Sequence, residues 1–240
     1  MQYKDFQGLS LSRLGMGNMR LPASVPRGPI DTDKAEELID YVYHQGINYF
    51  DTAYFYHEGQ SESFLGHALS RYPRDSYFLA DKMPASPLKS EGKTPAEIFE
   101  GQLAKCRTDH FDFYLLHNVC EDSIPVFTDE TLGVIPYLLE QKKAGRIRHL
   151  GLSSHSRPDT LRAFLSRYDF FEFIQIQLNY LDWDYQNAKE QYDIITQYGV
   201  PVWVMEPCRG GRLASLCPEG DALLRAVRPD LSIASWAFRW

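Results

Sequence analysis

Asp51, Tyr56, Lys82 and His117 are the residues of this chain whose types and placement suit chemistry together. Asp51 closes the apolar run Ile47-Asn-Tyr-Phe, and Tyr56 stands five residues further on. Lys82 closes Tyr77-Phe-Leu-Ala-Asp, and His117 follows Tyr114-Leu-Leu. Taken singly, each has an ordinary explanation: a turn-capping aspartate, a solvated lysine, a hydrogen-bonded packing histidine. Taken together they have a job. A tyrosine ordinarily loses its proton at about pH 10, too high for easy exchange at neutral pH. A nearby ammonium favours the phenolate, and an aspartate keeps that ammonium charged and in place. A histidine donates a hydrogen bond to a carbonyl and orients it. Tyr56 in such company is a general acid toward a developing alkoxide. The carbonyl carbon still needs a hydride, so the set implies a nicotinamide cofactor.

The elements that must position these residues alternate between two patterns. Helices are expected over Asp33–Gln45, Ser61–Arg71, from Thr94 onward, over Asp129–Ala144, Pro158–Tyr168 and Tyr185–Tyr198. Ala35, Leu38, Ile39, Val42 and Tyr43 share one face of the first. Asp33 with Glu36 reads as its capping box, and Thr94-Pro-Ala-Glu97 reads as another. Between them lie short runs, apolar on both faces, which suit parallel strands covered by helices. These are about Ser12–Gly17, then Ile47–Asp51, Tyr77–Lys82, Phe111–His117, Ile147–Ser153, Phe173–Gln177 and Pro201–Met205. Strand starts from Ile47 onward fall 26 to 36 residues apart, one βα unit each. No Ser/Gly-rich linker interrupts them, so residues 1–240 read as a single domain. Without a GxGxxG after the first strand, a (β/α)8 barrel is favoured over a doubly wound sheet. The pattern stops in the apolar helical run Leu231–Trp240, as a barrel lacking its last βα unit would. Strands one and seven would then present unpaired edges, which invite self-association.

Composition narrows the function classes. Hydrophobic residues at 44% and charged residues at 24% are those of a folded globule. Twenty-five basic against 32 acidic residues leave a net charge of −7 and no basic block, which disfavours nucleic acid and anionic membranes as partners. Cys106, Cys120, Cys208 and Cys217 form no CxxC pair, so no metal or redox motif is expected and reduced thiols of a cytoplasmic protein are. No run approaches the roughly 18 apolar residues of a membrane span.

Phe50-Asp-Thr-Ala-Tyr-Phe-Tyr56, Ala80-Asp-Lys82, Leu115-Leu-His117, Gly145-Arg-Ile-Arg-His-Leu-Gly-Leu-Ser153 and Gln177-Leu-Asn-Tyr180, in that order, resemble the aldo-keto reductase family. The resemblance runs from about Gly15 to Trp240. It implies reduction of a small carbonyl substrate with NADPH, or with NAD as the alternative nucleotide. On it, Tyr56 matches the proton donor, Asp51 and Lys82 its supporting pair, and His117 the substrate-orienting histidine. Ser153, Ser154 and Gln177 match residues that hold the nicotinamide carboxamide, Ser154 standing where many members have Asn. Met205 stands where many members stack an aromatic ring. Pro207, Cys208, Arg209 and Gly211 fall in the segment Pro207–Leu213, which resembles the loop over the pyrophosphate, with Arg209 or Arg212 toward the phosphates. Gly17, Met19 and Asp51 lie on the cofactor side of the first strands. The residues that grip the adenosine 2′-phosphate in the family belong to the missing unit, so NADP against NAD stays open. Substrate choice is expected in 84–93 and 118–128, with Tyr54, Phe55, Met83 and Phe127 as apolar lining.

Two other function classes stand beside this one. Lys82 as a Schiff-base nucleophile would make the barrel an aldolase, but that lysine needs a depressed pKa, which Asp81 and Asp51 oppose. A chain lacking a βα unit also reads as an inactive fragment or a cofactor-sensing interaction barrel. A metal-dependent hydrolase is disfavoured because His117 and Asp51 lack further His partners.

Overall fold

Gln7 and Gly8 both take positive φ, 51° and 86°, and so make the tight two-residue turn of a β-hairpin. Strands β1 (Tyr3–Phe6) and β2 (Leu9–Ser12) pair antiparallel across it. This corrects the single strand expected over Ser12–Gly17: the hairpin ends at Ser12 and a separate short strand, β3, covers only Met16–Gly17. A Gln at the first turn position hid the hairpin, since that position usually takes Asn, Asp or Gly. Asn48 fastens the hairpin, accepting from the Ser12 backbone N–H at 2.8 Å and donating to the Ser10 carbonyl at 2.9 Å.

The computed structural model describes residues 1–25 and 28–240, which form two compact units. The first comprises Met1–Asn118 with Asp122–Gly151. After β3 it contains α1 (Thr32–His44), β4 (Tyr49–Asp51), α2 (Ser61–Leu69), β5 (Phe78–Met83), α3 (Ser86–Ser90), α4 (Pro95–Cys106), most of β6 (Phe111–Val119), α5 (Ile124–Phe127), α6 (Val134–Lys143) and most of β7 (Ile147–Ser154). Its parallel strands neighbour one another in the order β3-β4-β5-β6-β7. Phe6, Tyr49, Phe113 and His149 make one aromatic cluster, with Phe113 stacked on His149 at 5.1 Å and edge-on to Tyr49 at 5.4 Å.

Helix starts follow capping chemistry. Thr94 and Glu97 form the expected reciprocal box at α4. At α1 the cap is Asp31, not Asp33: the Asp31 side chain accepts from Lys34 N–H, so the helix starts one residue early, at Thr32, and the Asp33–Glu36 box is replaced. Helix α6 opens only at Val134, because Gly133 in the left-handed region ends the Asp129–Gly133 turn that precedes it.

The second unit, Val119–Glu121 with Leu152–Trp240, holds the end of β7, then α7 (Pro158–Arg167), β8 (Ile174–Gln177), α8 (Asp182–Tyr185), α9 (Ala188–Gln197), β9 (Val202–Met205), α10 (Pro218–Val227) and α11 (Ile233–Arg239). Here β7 pairs with β8 and β8 with β9, again parallel. The helix expected over Tyr185–Tyr198 begins at Ala188, because Asn187 at φ 52° separates it from the short α8. The strands from β4 onward lie within two residues of their expected ends. The described residues thus carry seven parallel βα-type strands, those of a (β/α)8 barrel without its last unit.

Gly66 sets how closely α2 approaches α4. A Cβ there would lie 2.4 Å from the Lys105 carbonyl oxygen and 2.7 Å from Cys106 Cα. Backbone cannot yield as a side-chain tip can, so Gly66→Ala is expected to destabilise the chain by about 1–3 kcal/mol in urea unfolding.

Candidate active site

Strand alternation puts Tyr49 and Asp51 on the same face of β4, and Lys82 reaches them from β5. The register sets Asp51 beside Ala80, so Lys82 starts two residues further along and its stem runs back. The ammonium is 1% exposed and gives each proton a partner: Asp51 Oδ1 at 2.6 Å, the Thr52 carbonyl at 2.7 Å and the Tyr56 hydroxyl at 3.3 Å. Burial alone would push this lysine down, but the charges of Asp51 and Tyr56 outweigh it and hold its pKa above the ordinary value. A lysine so held is a fixed cation and a poor Schiff-base nucleophile.

Tyr56 stands at the start of a 3₁₀ turn, Tyr56–Gly59, in which His57 and Glu58 both take left-handed φ. His57 Nε2 accepts the Leu21 N–H at 2.8 Å and ties that turn to the segment after β3. The imidazole of His117, at the end of β6, lies edge-on to the Tyr56 ring with centroids 5.9 Å apart. Lys82 lowers the tyrosine pKa as expected, but the net shift is upward. Desolvation raises it, Asp51 raises it further, and Lys82 only partly offsets them, so Tyr56 sits above its ordinary value.

Two buried residues that the motifs did not single out hold this group. The Tyr49 phenol is pushed well up, first by burial and then by the nearby Asp51 charge. Asn18 is fully buried, and both its backbone N–H and its side-chain amide donate to the Asp51 carbonyl at 2.9 Å. Its neighbours Gly17 and Met19 are exposed. Of the expected apolar lining, Met83 and Phe127 belong to the core at 0% and 1% exposure, Tyr54 takes a 2.8 Å hydrogen bond from Lys93, and Phe55 is the exposed ring.

In the second unit the strand ends bring the other expected residues into line. Gln177 and Met205 are register partners on β8 and β9. Ser153 and Ser154 end β7, both buried, and Ser154 shares a hydrogen bond with Ser156. Pro207, Cys208, Arg209 and Gly211 follow β9, the last two in a 3₁₀ turn. The backbone beside Gly211 is open, with no atom within 4 Å of where a Cβ would stand. Arg209 is engaged through one nitrogen: its Nε bonds the buried carboxylate of Asp182 at 3.2 Å. Arg212 is exposed. Asp182 was not singled out from sequence, although Asn179, three residues before it and just past a strand, is an Asx-turn signal.

A family model described as "Aldo/keto reductase family" matches residues 13–222. The chain belongs to the aldo/keto reductase family. A curated relative from Glycine max, "Probable aldo-keto reductase 1", is 26% identical over 85% of this chain and 58% of its own length. The "NADH-specific methylglyoxal reductase" of Escherichia coli is 27% identical over 85% of this chain and 66% of its own. This chain therefore spans about three fifths of the length of such relatives. Among solved structures, an aldo-keto reductase from Bacillus halodurans in its holo form superposes with a TM-score of 0.73 at 31% identity, covering 96% of this chain and 78% of that one. No helix among the described residues is long and apolar enough to cross a membrane.

The donor set of the second unit fits a nicotinamide nucleotide. Ser153, Ser154 and Gln177 offer hydroxyls and an amide at adjacent strand ends, where a carboxamide needs both donors and acceptors. The turn at Gly210 and Gly211, both at positive φ, presents bare backbone beside two arginines, as a pyrophosphate requires.

Removing the Lys82 charge alone strands Asp51. Lys82→Met is expected to cost about 3–5 kcal/mol in urea unfolding, while the Asp51→Asn, Lys82→Met double variant recovers part of that loss.

Proposed function

We propose that this aldo/keto reductase reduces an aldehyde or ketone to the alcohol, reversibly, with Tyr56 as proton donor. The observation that carries the reading is the Lys82 ammonium, 2.6 Å from Asp51 and 3.3 Å from the Tyr56 hydroxyl. A bound NADPH, or NADH, supplies the hydride. The family resemblance supports a nicotinamide nucleotide of either kind. Ser153, Ser154, Gln177 and Met205 hold its nicotinamide end in this reading, and Pro207–Gly211 its phosphates.

The chain's own groups divide the remaining work. Tyr56 stays protonated through neutral pH, because desolvation and Asp51 keep its pKa up. It therefore begins the reductive turnover in the form that gives a proton. As the carbonyl oxygen gains negative charge, Tyr56 transfers its proton to that oxygen, and Lys82 stabilises the phenolate left behind. Asp51 keeps Lys82 charged and fixed. His117 orients the carbonyl by a hydrogen bond. The substrate lies against Phe55 and the segments 84–93 and 118–128.

Tyr56→Phe is expected to lower carbonyl reduction by about 10²–10⁴-fold. The nucleotide Kd, read by tryptophan quenching, should stay where it was. Undiminished turnover in that variant would remove Tyr56 from the role.

The raised pKa of Tyr56 also fixes the sign of the pH dependence. Reduction should hold level across neutral pH and fall in the alkaline range as the phenol ionises. Alcohol oxidation, which needs the phenolate, should rise over that same range. Steady-state rates in both directions, from pH about 6 to 11, test this.

A further inference from the structure

Asp182 is wholly buried, yet it lies outside every motif that carries the resemblance. Its Oδ2 accepts three hydrogen bonds: from Gln177 Nε2 at 2.8 Å, Asn179 Nδ2 at 2.6 Å and Arg209 Nε at 3.2 Å. Asn179 turns back to cap α8, its Oδ1 accepting from the backbone N–H of Leu181 and Asp182, and its amide also reaches the Glu206 carbonyl at 3.0 Å. Tyr185, one helical turn beyond Asp182, lies under the Arg209 guanidinium at 5.3 Å. One carboxylate thus ties the end of β8 to the glycine-rich turn, and Asn179 links it to the residue after β9.

We propose that Asp182 is a positioning residue for the nicotinamide nucleotide, fixing which way round the Gln177 amide stands and which way Arg209 faces. The inference rests on the nucleotide-binding reading above. A carboxylate accepts and does not donate, so Gln177 must turn its NH₂ toward Asp182, and its carbonyl oxygen is left for the amide protons of the carboxamide. Arg209 spends Nε on Asp182 and keeps its two terminal nitrogens for phosphate oxygens. At 21% exposure its side chain is half-sheltered, and a cation sheltered like this is best kept in one pose by a buried counter-charge. Asp182 touches neither ring nor phosphate in this arrangement; it acts through the two side chains that do.

The test is Asp182→Asn, which keeps the shape but removes the charge and offers an NH₂ of its own. Gln177 is then free to flip and Arg209 loses its partner. NADPH affinity of the full chain, by tryptophan quenching with circular dichroism to show folding, is expected to fall about tenfold. The same substitution added to the Gln177→Leu, Arg209→Gln double variant should cost nothing more, since the groups it acts through are gone. A purely structural role would lower affinity in both backgrounds. Asp182→Ser, which keeps an acceptor without the charge, serves if Asn does not fold. Unchanged affinity in folded Asp182→Asn, or an equal loss in the double background, overturns the proposal alone. A wild-type chain that binds neither NADPH nor NADH overturns the nucleotide reading, and this proposal with it.

Discussion

The buried ammonium of Lys82 is the constraint on which the first unit is built. A cation removed from water is tolerated only when each of its protons meets an oxygen and a counter-charge stands close by. Asp51, the Thr52 carbonyl and the Tyr56 hydroxyl meet that demand. Each must itself be held. Asn18 pins the Asp51 backbone from the segment after β3, and Thr52 bonds Ser61 at the start of α2. The Tyr56 turn accepts the strain of two left-handed residues, His57 and Glu58, to aim the phenol inward. A single charge thus links β3, β4, β5 and α2.

The sign of the tyrosine shift follows from the same geometry. Lys82 is closer to Asp51 than to Tyr56, and its charge is largely answered by the carboxylate. What reaches the phenol is a weakened cation, a nearby anion and a dry environment, and the last two win. The protonated form of this phenol is thus favoured by burial more than it is opposed by the lysine.

Much of this was legible in sequence, and the gaps have physical causes. The strand ends carrying Asp51, Lys82 and His117 could be read because parallel strands buried on both faces leave unmistakable apolar runs. Thr94 and Glu97 could be read because a capping box is local. Asn18, Tyr49 and Asp182 could not, since their importance lies in contacts across 33 residues, in facing a carboxylate, or in gathering donors from a strand end, the segment after it and a distant turn. The Asp182 partner of Arg209 could not be read, because a sequence shows a charge and not its partner. The helix expected from Tyr185 starts only at Ala188, because Asn187 in the left-handed region precedes it.

Asp81 shows why neighbouring charges cannot be added by sequence distance. It precedes Lys82 directly and looks like a second counter-ion. Strand alternation turns its side chain to the opposite face, among Glu62, Gln102 and Cys106. Burial and the nearby Glu62 push its carboxyl above the usual range, while the backbone N–H and charge of Lys82 pull it back. Glu62 has its own cation, Lys105, at 2.7 Å. On its own side of the strand the Lys82 ammonium therefore meets one carboxylate, Asp51, and one phenol, Tyr56, because alternation sends the adjacent acid to the other face.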